Sequence, residues 1–172
     1  MKQTSFSVRN MVYCAICAAL MAVCAWLSVP AGAVVFTMQT FAVFLALGLL
    51  GGRRGTVAVL VYLFLGSTGL PVFSGFRGGV GVLLGITGGY IWGFLAAALV
   101  YWMLERLLGS KLPAMILGMA VCYTCGTVWY LHIYGGTLWA VLMTCVVPYL
   151  IPDALKIGLA LSLSGRIKRI IN

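Results

Sequence analysis

Residues 82–104 read VLLGITGGYIWGFLAAALVYWML, a stretch without one charged side chain, closed by Glu105-Arg106. A helix needs about 20 predominantly apolar residues to cross roughly 30 Å of hydrocarbon, and this block meets that requirement. Working outward, blocks of the same character recur at 11–29, 36–50, 56–70, 113–130 and 138–171. The last is interrupted by Pro148 and Pro152. Proline is favoured in the first turn of a helix, and an acid there faces the positive end of the dipole. Pro152-Asp153 is therefore expected to open a sixth span. Residues 138–147 then form a short helix at the membrane surface or dipping into it; one kinked helix from Leu138 is the alternative. The expectation is an all-α membrane protein, one integral domain over 1–172 with six transmembrane helices.

Composition agrees. The chain is 63% apolar and 8% charged, with a mean hydropathy of +1.14. Soluble domains are about 45–50% apolar and about 25% charged. This excludes a soluble globule, a disordered segment and a small secreted disulfide scaffold. The net charge of +9 has no basic face to track a phosphate backbone, so nucleic acid is excluded as a partner.

The basic residues report topology instead. With the N-terminus inside, Lys2, Arg9, Arg53, Arg54, Arg106, Lys111, Arg166, Lys168 and Arg169 all fall on the cytoplasmic side. Arg77 falls outside and Lys156 within a span. Lys/Arg bias in short loops sets orientation, so both termini are expected to be cytoplasmic. Lys2 and Arg9, the following apolar run and Ala31-Gly32-Ala33 look like a signal peptide. The run is longer than the 7–15 residues of a signal core, however, and its removal would leave an odd number of spans. It is read as a retained first span.

Few residues offer chemistry. Cys14/Cys17 and Cys122/Cys125 have zinc-like spacing, but they and Cys24 and Cys145 lie in apolar surroundings where cysteine acts as a small apolar residue. His132 is the single histidine and lies in an aromatic belt with Trp129, Tyr130 and Tyr134, so metal sites and acid–base dyads lack members. Gly51-Gly52-Arg53-Arg54-Gly55-Thr56 lacks the Gly-Lys-[Ser/Thr] of a P-loop. Uphill transport by ATP would need another subunit to hydrolyse it. No catalytic constellation is present, and no enzyme, metal or cofactor is expected.

Small residues recur every four positions at Gly81, Gly85, Gly89 and Gly93, and at Ala114, Gly118, Cys122 and Gly126. Such faces suit close helix packing, or a smooth wall against a ligand or moving partner. Ala15/Ala19 and Ala18/Ala22 form two further pairs, suited either to internal packing or to docking a partner helix.

Asp153 and Lys156 are the informative pair. Asp153 is one of two acids in the chain, and Glu105 is the other. Ionisable residues in membrane helices are costly and mark functional sites. At i and i+3 they share a helix face, so a self-neutralising structural bridge is the competing reading.

At these residues the sequence resembles the BioY family, the biotin-specific S components of energy-coupling-factor (ECF) vitamin transporters. Val35-Phe36-Thr37-Met38-Gln39-Thr40-Phe41 is similar to the family's segment after the first span, and Gly51-Gly52-Arg53-Arg54-Gly55 to its basic turn. Gly69-Leu70-Pro71-Val72-Phe73, Gly78-Gly79, and Thr87-Gly88-Gly89-Tyr90 to Gly93-Phe94 resemble its outer loop and fourth span. Pro148-Tyr149-Leu150-Ile151-Pro152-Asp153 with Lys156 resembles its Pro-x-x-x-Pro-[Gly]-Asp-x-x-Lys signature, here without the glycine that many relatives carry. Arg77 stands in a loop where relatives have small or polar residues.

The resemblance implies an S-component-like bundle in a prokaryotic plasma membrane, binding biotin from outside. It implies as partners a membrane coupling subunit and two cytoplasmic ATPase subunits. It gives the first-span faces Ala15, Ala18, Ala19 and Ala22 a role in docking the coupling subunit. Biotin carries a ureido group at one end and a carboxylate at the other, joined through apolar parts. Asp153, Lys156, Gln39, Tyr90 and Arg77 are the expected polar contacts, and no cofactor is expected beside biotin as ligand. An S component for another vitamin, or a gradient-driven carrier, is the alternative.

Overall fold

The computed structural model describes residues 7–30 and 35–171. Lys2 and the Ala31-Gly32-Ala33 tripeptide lie outside the described residues. The elements run α1 (Val8–Trp26), β1 (Ser28–Pro30), β2 (Val35–Thr37), α2 (Gln39–Leu50), α3 (Gly52–Ser67), α4 (Val80–Leu84), α5 (Gly88–Leu108), α6 (Lys111–Tyr134), α7 (Leu138–Cys145) and α8 (Val147–Ile171). Four of them, α1, α5, α6 and α8, are long and apolar enough to cross a membrane. The α2 and α3 helices have 12 and 16 residues.

A helix apolar on every side belongs at the centre of a bundle. That is where α2 sits: Ala42 to Gly48 are all buried, with α1, α3, α5 and α8 around them. The outer helices turn apolar faces outward. On α8, Leu155, Leu159 and Leu163 are exposed while Lys156, Ile157, Ala160 and Ser164 are buried. A ridge of exposed leucines at every fourth residue suits hydrocarbon, where it meets acyl chains rather than water.

The small-residue faces of α5 and α6 meet each other. A Cβ on Gly126 would overlap the Tyr90 ring, and one on Gly89 would overlap Trp129. Gly93 lies against Cys122, and Gly118 against Ala97. These positions pack helix on helix and, in doing so, fix where the Tyr90 and Trp129 rings lie. Gly81, by contrast, has open space around it.

The structure departs from the expected spans in three places. The first helix ends at Trp26, not Val29, because the chain enters an antiparallel pair with Ser28 opposite Thr37 and Pro30 opposite Val35. Proline disfavours helical backbone in the residue before it, here Val29. The block at 82–104 is not continuous: α4 stops at Leu84, and α5 begins at Gly88. Gly88 lies directly over the Leu83 carbonyl, where no Cβ fits, and the Trp129 indole donates to Gly85 O at 2.9 Å. Finally, α8 begins at Val147, so Pro152 lies inside it rather than at its start. Pro148 takes the first-turn position, and Pro152 costs one backbone hydrogen bond early in the helix. Leu138–Cys145 is a separate helix, its start capped by Thr137 Oγ1 accepting from Ala140 N at 3.3 Å.

Candidate functional site

A cleft opens between β2, the start of α2, the loop after α3 and helices α4 to α8, spanning about 750 Å³ with its open mouth included. Its polar lining comes from segments far apart in sequence: Thr37, Gln39, Ser74, Arg77, Tyr90, Tyr123, Asp153 and Lys156. Val35, Phe73, Ile91, Phe94 and Met119 supply apolar wall. Apolar surface with a few placed polar groups is what small-ligand sites offer.

Asp153 and Lys156 are buried, and their Oδ1 and Nζ are 2.7 Å apart. Neither charge relies on the other alone. Lys156 Nζ also donates to Thr37 O at 2.7 Å and stands 3.9 Å from the centre of the Phe36 ring. An ammonium has three donors and is attracted to aromatic faces, so these contacts satisfy most of its capacity. Asp153 Oδ2 accepts from Tyr123 OH at 2.6 Å. The carboxylate is thus gripped from α6 and α8, the ammonium from α8 and β2. Losing one partner of such a pair would leave a buried, uncompensated charge.

Gln39 is buried, and its Nε2 donates to Tyr62 OH at 3.0 Å, which donates in turn to Val72 O at 3.1 Å. This relay ties the start of α2 to the loop following α3. Phe73 anchors the same loop. Its ring fills the space left by Gly66 and meets Tyr62 edge-on, with centroids 5.6 Å apart. Phe73 N donates to Arg77 O at 2.9 Å, closing a tight turn with Phe76 at φ 55°. Trp26 stacks on Phe76 at 5.0 Å and donates to Pro71 O at 2.8 Å. The turn presents Arg77 at the exposed mouth, where its Nε donates to Ser74 O at 3.2 Å. Tyr90 is half-buried on α5, its hydroxyl donating to Cys145 O at 3.4 Å.

All five residues expected to meet a ligand line this one cleft. The sequence reading did not single out Tyr123, Thr37 and Tyr149, which also line the cleft, or Phe36, whose ring faces the Lys156 ammonium. Tyr123 carried one usable signal, a tyrosine midway along an apolar span rather than in the terminal belt where Tyr130 and Tyr134 stack. The alanine pairs on α1 separate: Ala15 and Ala19 face outward, whereas Ala18 and Ala22 are buried in the chain's own core.

The BioY family profile matches residues 1–172. A biotin transporter BioY of Thermotoga maritima is 37% identical over 166 residues, covering 95% of this chain and 98% of that protein. A probable biotin transporter BioY of Pyrococcus horikoshii is 35% identical over 150 residues, covering 87% and 90%. The crystal structure of the S-component for biotin from an ECF-type ABC transporter superposes with a TM-score of 0.88 at 25% identity, over 98% of this chain and 95% of that one. By sequence over its full length, and by fold, this chain belongs to the BioY family.

Proposed function

We propose that the chain is a biotin-binding membrane subunit of an ATP-driven ECF uptake system, with the cleft as its vitamin site. The observation that carries this reading is the buried Asp153–Lys156 pair, held by the half-buried Tyr123, in a cleft whose mouth holds the exposed Arg77. The two ends differ in charge in the way biotin does. The buried pair is neutral as a whole and offers a carboxylate to the ureido N–H groups. Arg77 at the mouth offers a cation to the ligand carboxylate. Lys156, held by Asp153, Thr37 O and the Phe36 ring, orients Asp153 rather than reaching for the carboxylate. Tyr90 and Gln39 supply further polar wall.

The surrounding assembly follows from the same reading. Six crossings place both termini in the cytoplasm of a prokaryotic cell and the cleft outside, with α2 and α3 completing the four long helices. The coupling subunit docks on the outward Ala15/Ala19 face of α1, and two ATPase subunits drive transport. No chemistry is performed on the ligand, so the chain is a binding and transport subunit and not an enzyme. Equilibrium binding of labelled biotin to the purified chain tests the reading; saturable binding lost in Asp153→Asn is expected, and absence of binding in folded wild-type protein overturns it.

A further inference from the structure

At the other end of the bundle, helix ends carry a basic notch. Lys111, the first residue of α6, reaches across to α2 and donates to Gly48 O at 3.1 Å. Gly48 also faces Ser164 of α8, close enough that a Cβ would lie 2.8 Å from Ser164 Oγ. Lys168 follows Ser164 by one helical turn and is thereby brought beside the Lys111 ammonium, with Arg54 and Glu105 nearby. Arg54, Lys111 and Lys168 are half-buried, whereas Arg9, Arg53, Arg106, Arg166 and Arg169 are exposed.

Long basic side chains ordinarily carry their charged ends out to water. Two ammonium groups side by side in a half-buried notch repel instead, unless an anion lies between them. Glu105 is already engaged, its Oε2 accepting from Gly52 N at 2.7 Å and its Oε1 from Tyr101 OH at 3.1 Å. The only other acidic side chain, Asp153, is in the cleft. Among the described residues, three cations against one carboxylate leave the notch with surplus positive charge.

A second feature begins at the same place. Leu112, next to Lys111, is the first of the residues lining an apolar groove between α6 and α8. The groove passes Ile116 and Ala120 on one side and Ile157 and Gly158 on the other, and ends against Tyr123 and Asp153. From Leu112 to Tyr123 it follows roughly 16 Å of helix, at about 1.5 Å per residue. Its floor at Met119, Tyr123 and Asp153 is also wall of the ligand cleft.

We propose that notch and groove together form a site for one anionic phospholipid, its phosphate held by Lys111, Lys168 and Arg54 and one acyl chain lying along the α6–α8 groove. Phosphate is the shared chemistry that the notch recognises, and the groove selects a lipid as its source over a free anion. Basic pockets between membrane helices are established holders of anionic headgroups. The acyl chain then backs the helix that carries Asp153, so lipid composition reaches the ligand cleft through Tyr123 and Asp153.

The test uses full-length protein in nanodiscs of phosphatidylcholine with a minority of phosphatidylglycerol, and native mass spectrometry of the lipid retained on release. Wild-type protein is expected to retain phosphatidylglycerol at least fivefold over its share of the bilayer. Lys111→Gln/Lys168→Gln should abolish that enrichment, while Arg166→Gln/Arg169→Gln, an equal loss of exposed charge, should keep it. Gly158→Phe, which fills the groove but leaves the notch, should also lose the lipid. Thermal unfolding in pure phosphatidylcholine is the control for folding, and there the double lysine variant should unfold no earlier than wild type because a repulsion has been removed. Three results would each overturn the proposal: equal loss in both charge variants, protection by inorganic phosphate as strong as by lipid, or no lipid enrichment with loss of a co-purifying protein partner in the lysine variant.

Discussion

The Tyr123 hydroxyl on α6 meets Asp153 Oδ2 on α8 at 2.6 Å, while Lys156 holds Oδ1 at 2.7 Å. The carboxylate is therefore oriented by two helices before any ligand arrives, and Asp153 lines the cleft. A hydrogen bond to a charged group contributes roughly 1.5–3 kcal/mol. Tyr123→Phe keeps the ring and removes only that donor, so it should lower the thermal unfolding midpoint and, by freeing the carboxylate to turn, weaken biotin binding about tenfold or more. Titration of labelled biotin on the purified variant checks this; unchanged affinity would confine Tyr123 to packing.

Arg77 should read the far end of the ligand. Its guanidinium stands at the mouth on a turn fixed by Phe73 and by the Trp26–Phe76 stack. Arg77→Ala should weaken biotin by roughly tenfold or more, the scale of one charge-assisted contact. The same substitution should barely affect biotin amide, which has no carboxylate to lose. Parallel weakening of both ligands would show that Arg77 acts through loop structure instead.

The two alanine faces of α1 now have separate expectations. Ala19 is exposed and Ala18 is buried at 2%. Ala19→Trp should leave biotin affinity intact and stop ATP-driven uptake, because an indole holds a partner helix away from a small-residue face. Ala18→Trp overpacks the chain's own core and should lower the thermal unfolding midpoint instead. Uptake and binding assays on both variants separate docking from folding.

How much of this was legible in the sequence depends on the kind of signal. Asp153 and Lys156 stood out because two adjacent charges in an apolar helix are rare, and the cleft does contain them together with Gln39, Tyr90 and Arg77. Tyr123 did not stand out, since a tyrosine within a span shows nothing of the residue thirty positions on that it will meet. The Lys156 contacts to Thr37 O and the Phe36 ring were equally silent, because a backbone carbonyl carries no sequence signature. The break between α4 and α5 was hidden by composition: Gly85-Ile86-Thr87-Gly88 is apolar on average, and only Leu83 O beneath Gly88 reveals the turn. Of the two prolines four residues apart, Pro152 was expected to open the last helix, but the helix begins at Val147 with Pro148 in its first turn.

The proposed topology rests on where the cations gather. Arg54, Lys111 and Lys168 converge at one end of the bundle and Arg77 lies at the cleft mouth. On the proposed topology, which applies the Lys/Arg bias, the end rich in cations faces the cytoplasm. Reporters fused at residues 1 and 172 should both read as cytoplasmic, and a cysteine introduced at Ser74 should react with an impermeant thiol reagent from outside. Labelling of Ser74→Cys only after permeabilisation would invert the orientation and place the cleft inside.

The decisive experiment sets the Asp153–Lys156 pair as ligand contact against the pair as mere structural bridge. Asp153→Asn leaves the Lys156 ammonium facing Thr37 O and Phe36 without its counter-ion, and Lys156→Met leaves the carboxylate with Tyr123 alone. Removing one partner of a buried charged pair costs about 2–5 kcal/mol, so each single variant should lose 30-fold or more in biotin affinity. The double variant distinguishes the two roles. A bridge that serves only to neutralise itself becomes harmless when both charges go together, because no uncompensated ion remains. Binding would then recover toward the wild-type value. A carboxylate that accepts the ureido N–H groups is not replaced by removing its partner, so the double variant should bind no better than the weaker single one. Near-normal affinity in a folded Asp153→Asn/Lys156→Met protein would take both residues out of the vitamin site.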